Sequence, residues 1–158
     1  FSDRMKPDFK GSIQSLFEAK RLGQKNGVDY YKYELDKKGK LAKTADAATL
    51  DVLKAVVDAP KAFDDQEIID RMMLALCNET VRCLEDNIVA TPSEADMAMI
   101  MGIGFPPFRG GPCRYIDQFG VQNYLALCDK YASLGKAYEA PQMIRDMAAN
   151  GKTFYPQA

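Results

Sequence analysis

The 158-residue chain has no histidine and no tryptophan. Without histidine, the side chain best suited to exchange protons near neutral pH is missing, and so is the commonest metal ligand. Four cysteines are present, Cys77, Cys83, Cys113 and Cys128, and none forms a CxxC pair. With no CxxC spacing and no histidine to complete a ligand set, a structural zinc site is not expected. No apolar run approaches about 18 residues and no signal-peptide pattern precedes the first helix, so neither membrane spanning nor secretion is expected. A surplus of one charge is also lacking: 21 basic and 22 acidic residues give a net charge of −1. That balance offers no case for nucleic acid or an anionic membrane surface as a partner of the whole chain. The first residue is Phe1 rather than methionine, which reads as a fragment of a longer protein.

What is present suits a reducing, cytoplasmic protein. Hydrophobic residues make up 47% of the chain, enough for a sizeable core in one domain or two small ones. Cys77, Cys83 and Cys128 fall inside helical runs, where a free thiol behaves as a small buried hydrophobe.

Helical periodicity dominates. Phe9, Ile13, Leu16, Phe17 and Lys20 recur every three or four residues between Pro7 and Leu22, predicting a helix with an apolar face that Gly23 stops. Asn26-Gly27 makes a turn, and Tyr30 to Tyr33 reads as a short extended piece with packed tyrosines. Asp36 to Thr44 carries four lysines and Gly39 and reads as a solvated linker. Asp46 caps a helix whose Ala47, Leu50, Leu53, Val56 and Val57 share a face, ending before Pro60. Asp64 and Glu67 offer a capping box for a long helix to about Asp86, with Ile69, Met72, Met73, Leu76, Thr80, Cys83 and Leu84 on one broad face. Within it Asn78 and Glu79 are polar among apolar neighbours, so Asn78 and Glu79 are expected to bond to backbone, to Arg82 or to a partner.

Thr91-Pro92-Ser93-Glu94 is a second helix start, with Thr91 as N-cap, Pro92 in the first position and Glu94 closing a capping box. Gly102 and Gly104 end that helix. Gly102 to Gly111 invites comparison with a phosphate cradle, but Pro106 and Pro107 and the following Pro112 have no N–H to donate. Pro107 stands where a GxGxxG fingerprint needs glycine, and no Gly-Lys-Ser/Thr follows. The loop reads instead as a rigid elbow, with Phe105 and Phe108 plugged into the core and Arg109 solvated. Helices at Pro112–Phe119, Val121–Tyr131 and after Pro141 complete an all-α fold.

The segment GIGFPPFRGGPCRYIDQFG, with RMMLALCNETVRCLEDNIVATPSEADMAM before it, resembles the C-terminal end of the α-subunits of fatty acid oxidation complexes. The likeness runs from DRMKPDF through GQKNGVDYYKY to GKTFY. It implies a helical fold like the C-terminal domain of 3-hydroxyacyl-CoA dehydrogenase, of the 6-phosphogluconate dehydrogenase C-terminal-like type. That subunit family joins an enoyl-CoA hydratase to an NAD-dependent 3-hydroxyacyl-CoA dehydrogenase whose helical domain occurs twice. An echo inside the chain agrees: Gly27-Val28-Asp29-Tyr30-Tyr31 and Gly151-Lys152-Thr153-Phe154-Tyr155 share a pattern. The resemblance then implies that residues 1–35 end a first repeat, 36–63 form a linker with one helix, and 64–158 form a second repeat.

The family's catalytic histidine and its glutamate lie on a separate dinucleotide-binding domain. The asparagine that helps hold substrate in the active repeat is replaced here by Asp70. The resemblance therefore implies no catalytic, cofactor-binding or metal-binding residue in this chain, and NAD is a cofactor of the parent alone. The expected partners are the rest of the α-subunit, which the second repeat would cover as an internal pseudo-dimer, and a thiolase β-subunit. A second reading makes Arg109, Arg114 and the lysines near Gly39 an acyl-CoA surface, with Met and Phe side chains along the acyl chain. A third makes the chain an independent helical interaction module.

Overall fold

The computed structural model describes residues 9–57 and 61–156. These fall into two units that divide between Ala62 and Phe63. The expected helix start at Pro7 and the stop at Pro60 lie outside the described residues.

In the first unit a helix, α1 (Ser12–Glu18), packs on α2 (Ala47–Leu53), and between them β1 (Tyr31–Leu35) pairs antiparallel with β2 (Leu41–Ala45). Asp46 caps α2 by accepting from the Ala48 N–H, as its position ahead of an apolar run requires. Arg21 ties the unit together: Nε donates to the Asp29 carbonyl at 2.8 Å, and Nη2 donates to Asp46 and to Thr49 Oγ1. Two expectations are corrected here. The segment from Asp36 is no linker, because Leu41–Ala45 is a strand held in register by Tyr31↔Ala45 and Leu35↔Leu41. The α1 face is also not core: Leu16 is buried, but Phe9, Ile13 and Phe17 are 70%, 76% and 68% exposed. Their spacing is that of a core stripe, and the described residues of this unit supply nothing large enough to cover it.

The second unit is helical throughout its described residues. Its members are α3 (Asp65–Glu85), α4 (Pro92–Ile103), α5 (Pro112–Phe119), α6 (Val121–Tyr131) and α7 (Gln142–Asn150), with single 3₁₀ turns at Pro107–Arg109 and Ala132–Leu134. Helices thus make up most of the chain, as the periodicity predicts, and the hairpin is the small exception. Asp64 starts α3 by accepting from Gln66 and Glu67 N–H groups. Thr91 and Glu94 form the full capping box of α4, an arrangement that contributes about 1 kcal/mol. Gly104, at φ 74°, closes α4 in the left-handed region, whereas Gly102 stays inside the helix.

The core gathers Leu74, Cys77 and Val81 of α3, Ile116 of α5, Tyr124, Cys128 and Tyr131 of α6, and Ile144 and Met147 of α7. A smaller cluster of Leu84, Ala95 and Cys113 joins α3, α4 and α5. This corrects the face expected for α3, since Met72 is 69% and Ile69 is 49% exposed. The helix carries two apolar sides, and the inner one runs through Cys77 and Asn78, small or polar residues that a hydrophobic pattern discounts. The elbow is half as expected. Phe105 is buried, but Phe108 is 82% exposed, with the exposed Arg109 stacked between its ring and that of Tyr115.

Candidate functional site

Three buried polar residues organise the second unit from within. Asn78 is fully buried; its Nδ2 donates to the Ala137 and Glu139 carbonyls at 3.1 and 3.3 Å, and its Oδ1 accepts from the Tyr124 hydroxyl at 2.9 Å. One amide thus joins α3, α6 and the loop before α7. Arg82, one turn further on, adds Nη2 bonds to the Lys136 and Glu139 carbonyls and an ion pair to Glu79 at 3.6 Å. Asn78 therefore bonds to backbone and Glu79 pairs with Arg82, as the sequence suggests.

Asp96 is the second hub. Its carboxylate accepts from the Cys113 N–H at 2.7 Å, the Arg114 N–H at 3.2 Å and the Tyr155 hydroxyl at 2.7 Å. Helix α5 has glycine at its N-cap and no capping side chain of its own. A carboxylate from α4 satisfies its orphan N–H groups instead and sits favourably at the positive end of the helix. Asp117 then accepts from the Phe154 and Tyr155 N–H groups at 3.0 and 2.9 Å, strapping the segment after α7 onto α5. Sequence reasoning misses Asp96 and Asp117. The available signal is α5 itself, a helix start without a cap that needs an acceptor from elsewhere.

Asp70 is the third such residue and is buried. It accepts from Gln66 Nε2 at 2.7 Å and from the Tyr131 hydroxyl at 3.3 Å. Its Oδ1 is thus engaged within α3 and its Oδ2 by α6. Burial pushes the Cys77 thiol up to about 12 and the Cys128 thiol up to about 11, and it raises Cys113 and Tyr124 as well. Protonated thiols in a packed core are poor nucleophiles and poor metal ligands. Among the described residues no cluster of three cysteines or carboxylates is placed to hold a metal ion. Arg114 lies over the Tyr155 ring at 3.7 Å, so of the two elbow arginines only Arg109 faces outward. The interior polar chemistry is that of a helical framework.

The outer side of α3 is different. Met72, Leu76, Thr80 and Cys83 of α3, Ala95, Ala98, Met99 and Ile103 of α4, and Ile88 and Val89 between the two helices line an open groove of about 450 Å³. Among the described residues Glu79 is the one charged side chain lining it. Ile88 is 66% and Ile103 63% exposed. The groove is thus lined almost entirely by apolar side chains. The methionines read from sequence as core filler are thus split: Met73 packs against the core while Met72 lines the groove.

The second unit is thus a five-helix unit with a capping-box helix α4, a glycine-proline elbow and a helix α5 held by a carboxylate from α4. The family model for the 3-hydroxyacyl-CoA dehydrogenase C-terminal domain matches residues 68–155, and the chain belongs to that family. It is 75% identical, over an aligned span of 159 residues that covers 100% of this chain, to the fatty acid oxidation complex subunit alpha of Psychrobacter arcticus. The subunit of the same description from Acinetobacter baylyi is 77% identical over 156 residues, or 98% of this chain. The chain spans 22% of the length of each of these relatives. No helix among the described residues is long and apolar enough to cross a membrane.

Proposed function

We propose that this chain is the C-terminal portion of a fatty acid oxidation complex α-subunit, and that its second unit scaffolds the dehydrogenase half without taking part in the chemistry. The parent would hydrate an enoyl-CoA and oxidise the resulting 3-hydroxyacyl-CoA with NAD, in the cytoplasm and alongside a thiolase subunit. Residues 64–158 are a second helical repeat in this reading, and residues 1–35 are the end of the first. Asp70 in place of asparagine and the absence of histidine leave the repeat catalytically silent, with no cofactor of its own.

The observation that carries the reading is the open apolar groove between α3 and α4. A repeat that covers its sister as an internal pseudo-dimer partner needs such a face, and burial of its apolar area stabilises the pair at about 25 cal/mol per Å². The exposed Phe9, Ile13 and Phe17 of α1 support the same picture. They behave as the last helix of a first repeat whose other helices lie upstream, whereas Ile144 and Met147 of α7 find their partners within this chain.

Met72→Glu combined with Ala98→Glu tests this, since both positions are exposed. The double variant of the present chain is expected to keep its melting temperature. In the full-length protein the same pair is expected to lower dehydrogenase activity about tenfold or more, by breaking a desolvated contact, while hydratase activity persists. Unchanged dehydrogenase activity and stability in the full-length variant would sink the proposal.

A further inference from the structure

The hairpin β1–β2 carries a local charge that the balanced total conceals. Residues 31–45 hold five lysines against two acids, in a chain whose net charge is −1. Lys37, Lys38 and Lys40 crowd the turn. Among the described residues no acidic side chain pairs with any of the three, and every residue from Glu34 to Ala45 is exposed.

This tip is ordered. Asp36 Oδ1 accepts from the Lys38 and Lys40 N–H groups at 2.8 and 2.9 Å, the Gly39 N–H donates to the Asp36 carbonyl at 2.9 Å, and Gly39 takes φ 73°. At the base, Arg21 and Thr49 fix Asp29 and Asp46, and the Tyr33 N–H donates to the Gly27 carbonyl at 2.8 Å. The hairpin is therefore clamped at one end and presented at the other. The cross-strand pairs Leu35↔Leu41, Tyr33↔Lys43 and Tyr31↔Ala45 share one face, because alternate residues of a strand point the same way. That face has two leucines next to the lysine turn, 71% and 51% exposed, and the two tyrosines behind them.

We infer that this hairpin docks on an anionic lipid surface, with Leu35 and Leu41 entering the headgroup boundary. Lys37, Lys38 and Lys40 would meet acidic headgroups, and Tyr31 and Tyr33 would sit at the interface. Apolar tips flanked by lysine and backed by tyrosine match the layered polarity of a bilayer surface. A protein partner fits less well. Lysine is depleted from the desolvated cores of protein interfaces, and lysines along an edge strand oppose the addition of another strand. The inference does not depend on the scaffold reading, which rests on other residues.

Co-sedimentation of the full-length protein with vesicles tests it, using phosphatidylglycerol–phosphatidylcholine and pure phosphatidylcholine in parallel. Binding to the anionic vesicles alone, weakening as salt is raised, is the expected result. Lys37→Glu/Lys38→Glu/Lys40→Glu should lower that binding about a hundredfold, and Leu35→Ser/Leu41→Ser should lower it at salt concentrations where electrostatic attraction is screened. All five positions are exposed, and circular dichroism should show each variant folded. Parent protein that stays in the supernatant, or a charge-reversed variant that pellets like the parent, would overturn the inference. So would a variant that changes the oligomeric mass in sedimentation while neither form pellets, because the hairpin would then serve a protein partner.

Discussion

Gly111→Ala should destabilise the second unit by about 3 kcal/mol or more. Gly111 has φ 105°, a region that costs an L side chain about 1–2 kcal/mol. An added Cβ would also lie 2.3 Å from Asp96 Cβ and 2.4 Å from its Cγ. Overpacking of this kind adds about 1–3 kcal/mol. The carboxylate cannot yield, because it is held by the Cys113 and Arg114 N–H groups and the Tyr155 hydroxyl. Gly104→Ala separates the two causes. At φ 74°, with nothing within 4 Å of its Cβ position, it bears the backbone cost alone, about 1 kcal/mol. Equilibrium urea unfolding of both variants checks the order. Equal losses would mean that the contact with Asp96 contributes nothing.

Asn78→Leu should cost about 3 kcal/mol, although leucine is close in volume and more apolar. The change leaves the buried Tyr124 hydroxyl without its acceptor and the Ala137 carbonyl without its donor, whereas the Glu139 carbonyl keeps its bond from Arg82. Tyr124→Phe alone should cost less, about 1–2 kcal/mol, and the double variant less than the sum of the two singles, because the orphaned hydroxyl is then gone. Strict additivity in denaturant unfolding would show that the Asn78–Tyr124 bond is not a stabilising link between α3 and α6.

Much of the second unit is legible in the sequence because its punctuation is local. Thr91 to Glu94 spells a capping box within four residues, and Gly104, Gly120, Gly135 and Gly151 stop or separate helices where the chain must take positive φ. The hairpin is less legible. Leu41–Ala45 has no buried face to impose alternation, and its pairing with Tyr31–Leu35 depends on the Asp36 turn rather than on either strand's composition. Phe108 shows the same limit, since an aromatic residue in a loop reads as a plug whether or not a socket exists. At the candidate site Asn78 stands out as a lone amide in an apolar run. Asp96 does not, because the helix it caps begins fifteen or more residues later and only the fold brings the two together. The groove is hidden for a further reason. α3 is apolar on two sides, and periodicity alone does not say which side meets its own core and which is left open.

The most direct test of the silent scaffold is calorimetric titration of the purified chain, after circular dichroism has shown cooperative helical folding, with 3-hydroxyacyl-CoA and separately with NADH. No heat of binding from either ligand is the predicted result, since the buried carboxylates are committed to N–H and hydroxyl donors and the proposed scaffold role assigns the open groove to a protein partner. Saturable binding of 3-hydroxyacyl-CoA would contradict it and place this repeat in contact with substrate.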